Sequence, residues 1–136
     1  MAESFIGEIR MVAFNFAPAG WANCDGQLLP IAQNPPLFSL LGTTYGGDGR
    51  STFALPDFRS RTPVHQGQGN GLTQRFLGEM LGEETNELPT QAVEIGQQPN
   101  NPTVVNYTPG GRLLDNMQPL LVVNFMISLT GAFPTR

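Results

Sequence analysis

Apolar and polar residues alternate near both ends of the chain. From Phe5 to Phe14 one parity carries Phe5, Gly7, Ile9, Met11 and Ala13, and the other carries Ile6, Glu8, Arg10, Val12 and Phe14. A period of two is that of a strand, whose successive side chains point to opposite faces. The second case is more regular: Leu121, Val123, Phe125, Ile127 and Leu129 fall on one face, with Leu120, Val122, Asn124, Met126, Ser128 and Thr130 on the other, bracketed by Pro119 and Gly131. Such a strand needs a buried place, and the N-terminal strand is its expected neighbour. The segments 5–14 and 119–130 are therefore predicted to form the sheet core.

Between them the pattern breaks into short pieces. Pro18, Gly20, Asn23, Asp25, Gly26 and Pro30 recur too closely for a helix, and Asp25-Gly26 predicts a tight turn. Residues 35–41 read as a short helix, with Asn34 as cap, Pro35 at the first position, Gly42 at the exit, and Leu37, Leu40 and Leu41 toward the core. The glycine-rich stretch 43–50 follows a helix and precedes a strand, the reverse of the order that cradles a phosphate. Glu79, Glu83 and Glu87 predict a solvated acidic face without a basic partner. From Gly96 to Gly111 the chain turns to Gln, Asn, Pro and Thr, the composition of a connector or a recognition loop. The expectation is an α+β, β-rich fold with few short helices and much ordered loop, in a single domain over 1–136.

Composition narrows the function classes. Only 13% of the 136 residues are charged, against about 25% in an average soluble domain. All seven basic residues are arginines, which removes lysine Schiff-base chemistry and the P-loop. A net charge of −4 argues against nucleic acid and anionic membranes, both of which call for clustered positive charge. Cys24 is the lone cysteine, so no intrachain disulfide can form, and a buried inert thiol is expected. No Sec-type signal and no membrane-inserting segment is read, so the protein is expected to be made in the cytoplasm.

Candidate chemistry is sparse. His65 is the single histidine, and no motif supplies it with a nucleophile and an orienting carboxylate; a structural role beside Gln66-Gly67-Gln68-Gly69 is expected. No catalytic residue, metal ligand or cofactor is assigned. Trp21 is read as a buried turn anchor, with sugar stacking as the alternative. Asp25 and Asp57 are read as turn residues whose carboxylates satisfy backbone N–H groups. Arg59 and Arg61 are expected on one side of an extended segment, bonding carbonyls or the carboxylates of Asp25, Asp48 or Asp57, with an acidic glycan as the sharper alternative. In the segment 97–112, Asn101, Tyr107 and Arg112 are the candidate recognition residues, and a plain connector is the competing reading.

The order Phe5-Ile-Gly-Glu-Ile-Arg-Met, Gly20-Trp-Ala-Asn-Cys-Asp-Gly-Gln-Leu-Leu-Pro30, Leu37-Phe-Ser-Leu-Leu-Gly-Thr-Thr-Tyr-Gly-Gly-Asp-Gly49, Phe53-Ala-Leu-Pro-Asp57 and Arg61-Thr-Pro-Val-His65 resembles the phage tail collar family, including its microcystin-dependent-protein branch. The resemblance resumes at Asn116-Met-Gln-Pro119 and from Asn124-Phe125 to Pro134. It implies an intertwined or closely packed homotrimer in a phage tail, tail fibre, contractile injection machine or adhesive device, with other fibre or baseplate proteins and cell-surface glycans as partners. It also implies no enzymatic reaction, and action outside the cell as part of a particle. A lectin-like glycan-binding module is the alternative. Many family members carry a longer segment at the place of residues 85–118, opening with Pro-x-His-x-His. Here Leu88 to Val93 hold no histidine, so a shortened variable segment without an axial metal is expected. Val122, Asn124, Met126 and Phe133 are the candidate trimer contacts, because Leu121, Phe125 and Leu129 should be taken up by the subunit's own core.

Overall fold

In a computed structural model that describes residues 3–87, 93–94, 105–106 and 113–136, the strands are β1 (Ile9–Val12), β2 (Trp21–Asn23), β3 (Leu28–Pro30), β4 (Thr52–Ala54), β5 (Thr85–Glu87), β6 (Val93–Glu94), β7 (Val105–Asn106), β8 (Leu113–Asp115) and β9 (Asn124–Ser128). The one α-helix among the described residues is α1 (Pro35–Leu41), preceded by a 3-10 turn at Ile31–Gln33. The fold is thus β-rich with few helices. Two compact units emerge, Met1–Met80 with Leu121–Arg136, and Leu81–Leu120.

The first unit is built on the two alternating segments. β9 lies in the centre of a three-stranded antiparallel sheet ordered β1-β9-β2, with Ile9 opposite Ile127 and Ala22 opposite Ile127 on the other side. Both strands are shorter than the alternation predicts, for identifiable reasons. Gly7 has φ +84°, a conformation that interrupts an extended run, and Phe5 instead makes an isolated parallel bridge to Ala132. At the other end, β1 stops opposite Asn124 and β2 opposite Met126, so neither neighbour reaches far enough to pair with 119–123. An alternating sequence forms a ladder only where a partner strand supplies the hydrogen bonds.

Helix α1 has prolines in its first turn, where a missing N–H is harmless, and ends with the Gly42 N–H bonded to the Phe38 carbonyl. Asn34 does not cap it through its side chain; the Asn34 Nδ2 donates backwards to the Pro30 carbonyl at 3.1 Å. Leu37 is buried and Leu41 leans on the core, whereas Leu40, expected inside, stays exposed. β3 and β4 pair antiparallel beside the helix.

The core gathers Ile6, Cys24, Leu37, Phe53, Leu55 and Ile127, with Phe38, Phe58, Phe125 and Leu129 packed around it. Phe38 and Phe53 meet at 5.5 Å with rings tilted by 54°, and Phe58 stacks on Phe125 at 4.5 Å. Phe125, Ile127 and Leu129 therefore face the core as their parity predicts, and Leu121 does not. The chain ends are clasped together: the Ala132 N–H reaches the Ser4 carbonyl and the Ile6 N–H the Ala132 carbonyl. Gly131, with φ +126°, passes so close to the Ser4 carbonyl that any Cβ would collide with it.

The second unit pairs β5 with β8 and β6 with β7, both antiparallel. It covers the stretch at 85–118 expected to vary.

Candidate interaction surface

Asp25 and Asp57 are brought together as an isolated antiparallel bridge, drawn in by the Gly26 N–H to the Pro56 carbonyl and the Phe58 N–H to the Cys24 carbonyl. Their roles differ from each other. The Asp57 carboxylate accepts the Arg59 backbone N–H at 3.1 Å and grips the Arg59 guanidinium through Nε and Nη2 at 2.9 and 2.8 Å. Those bonds hold its pKa down at about 2. The Asp25 turn is closed differently from expectation, because the Asp25 N–H donates to the side-chain carbonyl of Gln27, whose amide in turn donates to the Asn23 carbonyl. Nor do Arg59 and Arg61 flank an extended segment. Ser60 has φ +56° and the Arg61 N–H returns to the Phe58 carbonyl, so the two arginines stand on either side of a turn. Both side chains are exposed, as is His65.

The glycine-rich loop is closed by its own carboxylate. Asp48 accepts the N–H groups of Arg50, Ser51 and Thr52, each at 2.9 Å, and the Ser51 hydroxyl. The backbone bonds, led by that from Thr52, hold its acidity well below the usual carboxylate range. These donors are the ones a bound phosphate would need, and Asp48 already occupies them. Cys24 is buried, and burial followed by the nearby Asp25 charge pushes its thiol up to about 12; burial likewise raises Tyr45.

The proposed assembly face of the last strand is only partly available. Met126 is 5% exposed. Its position lies between Arg10 of β1 and Asn23 of β2, and the Arg10 guanidinium reaches across β9 to lie 5.1 Å from the ring centre of Trp21. This cation–π bridge roofs the strand on the face that was read as open. Met126 therefore belongs to the subunit interior, and Trp21 is a half-buried lid rather than a buried anchor. Asn124 is half-buried and donates to the side-chain carbonyl of Asn23 at 3.0 Å. Ser128 is fully buried, gives its hydroxyl proton to the Thr130 carbonyl and lies 3.0 Å from the Ser4 hydroxyl. Val122 and Phe133 are exposed, and Leu121, assigned to the core from its parity, is 89% exposed.

Two features escaped the sequence reading. Phe14 and Phe16 form an exposed aromatic pair at 5.0 Å. Between Gly67 and Met80, Leu72, Phe76, Leu77 and Met80 all project into solvent. The signal was a set of apolar residues with no period in a glycine-rich stretch, which predicts neither helix nor strand. Glu79, expected to stand without a basic partner, lies 3.9 Å from Arg75 and accepts the Phe76 N–H. Asn101, Tyr107 and Arg112 lie outside the described residues. Among the described residues no three His, Cys, Asp or Glu side chains are grouped to hold a metal ion, and no helix is long and apolar enough to cross a membrane.

Residues 7–63 match the family model of the phage tail collar domain. That span runs from the start of the sheet through α1 and the Asp57 turn. No curated protein matches the chain.

Proposed function

We propose that this chain, whose residues 7–63 match the phage tail collar domain, is a tail-fibre component that assembles as a homotrimer and helps to attach the particle to a surface. Collar domains are structural parts of tail fibres, which supports the particle context and the structural role. The observation that supports association is the apolar surface of the first unit. Large side chains stand open there on a chain with 13% charged residues and a net charge of −4. Exposed apolar patches of this kind mark surfaces that are covered by a partner. The partners expected are two further copies, then neighbouring fibre or baseplate proteins, and a cell-surface glycan at the far end. The role is non-enzymatic, with no cofactor, and is exercised outside the cell on the finished particle.

The decisive experiment is the solution mass. Light scattering at micromolar concentration is expected to give three times 14.7 kDa. A 14.7 kDa species that binds glycans on an array would replace the trimer with the lectin-like reading. Immunogold labelling of tail particles then tests the location, and label confined to non-particle fractions would refute it.

A further inference from the structure

Leu121 and Val122 are 89% and 90% exposed. Both side chains of this apolar stretch are therefore open at once. The sequence has the alternation of a strand there, and among the described residues no strand pairs with it. The second open surface is the arm from Gly67 to Met80. Its shape is fixed by its own hydrogen bonds, Gly67 and Arg75 exchanging N–H···O bonds at 2.8 and 2.9 Å, the Gln68 amide donating to the Leu72 carbonyl, and Glu79 accepting the Phe76 N–H. The arm is thus ordered while Leu72, Phe76, Leu77 and Met80 remain well over half exposed.

We infer that the 121–122 segment of one copy docks on the Leu72–Met80 arm of the next, and that this contact closes the trimer. The inference rests on the threefold reading above and names the surface that makes it. A threefold ring closes only through heterologous contacts, which require two different complementary patches on every copy; the first unit has two such patches. The area can be set against what a stable interface needs. A fully buried aliphatic or aromatic side chain removes about 60–120 Å² of apolar surface at the usual transfer coefficient. The six side chains of one contact, two from one copy and four from the next and on average about three-quarters exposed, bring roughly 300–500 Å² counted over both partners, about a third to a half of the apolar area of a stable interface, and neighbouring residues must supply the rest. A stable interface hides about 800 Å² per partner, of which somewhat over half is apolar. The arm's only ion pair, Arg75 with Glu79, is satisfied within the arm, so no charge has to be stripped of a partner on docking. Association is accordingly expected to be insensitive to 1 M salt and to chelators.

Two double variants test this by light scattering with circular dichroism as the folding control: Leu121→Asp with Val122→Asp, and Phe76→Asp with Leu77→Asp. Each is expected to lower the mass threefold while leaving the subunit folded, because none of the four side chains belongs to the core. A trimeric wild type whose folded variants also stay trimeric would overturn the docking surface and leave the trimer standing. A monomeric wild type would overturn the trimer itself. Should a variant fail to fold, cross-linking decides. Cys24 is buried, so chains carrying Val122→Cys, refolded with chains carrying Phe76→Cys and mildly oxidised, are expected to yield mixed covalent dimers; none forming would overturn the contact.

Discussion

Truncating Ile127 is expected to show how far the first unit depends on one central side chain. Ile127 is 0% exposed, opposes Ile9 and Ala22 across the two ladders, and touches the cluster of Cys24, Leu37, Phe53 and Leu55. Ile127→Ala removes three carbon groups, about 2.4 kcal/mol of transfer free energy at about 0.8 each. The void left between two ladders relaxes poorly, because both flanking backbones are tied by hydrogen bonds. A cavity contribution raises the total to about 3–4 kcal/mol, within the usual range for such a change. Ile127→Val leaves most of the side chain in place and is expected to lose about 1 kcal/mol. Domains have only about 5–15 kcal/mol in hand, so the alanine variant loses a large fraction. In urea unfolding at one protein concentration, the midpoint is expected to fall by roughly 1–3 M for alanine and by about 0.5 M for valine, with unchanged slope. A loss under about 1 kcal/mol for alanine, or equal losses for both variants, would show that β9 is not the central strand.

Gly131→Ala forces a Cβ into the Ser4 carbonyl and strains a residue at φ +126°, loosening the clasp at Ala132. The melting temperature is expected to drop by roughly 10 °C, from a loss of about 2–4 kcal/mol; an unchanged melt refutes the clasp. Asp57 has its folded pKa lowered from 3.8 to about 2, so its contribution is present above pH 4 and is lost as pH falls through about 2. Acid titration of stability should therefore show a decline between pH 4 and 2 that Asp57→Asn flattens, and identical profiles would contradict the Arg59 grip. Cys24, shifted from 9.0 to about 12, should react with iodoacetamide at pH 8 about a thousandfold more slowly in the native state than in urea. Comparable rates would mean that the thiol is open.

Period-two alternation located β1 and β9, and its parity placed Phe125, Ile127 and Leu129 correctly toward the core. It failed at Leu121 and Met126 for a reason that lies outside any one strand. Alternation states which residues share a face, while burial depends on what covers that face. Arg10 and Trp21, a charged residue and an aromatic one eleven positions apart, join over β9 and close the face read as open. No periodicity announces that pairing. Leu121 keeps its parity, but β1 and β2 end before reaching it. The helix at 35–41 was legible because proline and glycine act locally at its two ends, whereas Asn34 was misread as a side-chain cap: its oxygen accepts no helix N–H, and its amide donates back to the Pro30 carbonyl. The arm at 67–80 is held by turn hydrogen bonds, which leave no repeating mark in sequence. Of the site, Asp57 was one of the three carboxylates expected for the arginines, and it is the one that Arg59 grips. The reach of the Gln27 side chain into the Asp25 turn was not legible.

The central place of β9 sets the order in which the subunit can be completed. β1 and β2 do not pair with each other, and each waits for a strand more than a hundred residues after Ile9. During synthesis at about 5–20 residues per second, the first strands emerge several seconds before their common partner. Over that interval Ile6, Cys24, Leu37 and Phe53 have no Ile127 to close upon. A ribosome that stops before β9 therefore releases a chain that cannot finish its sheet. Only molecules read through to β9 can complete the sheet of the first unit, and the topology itself acts as proofreading for length.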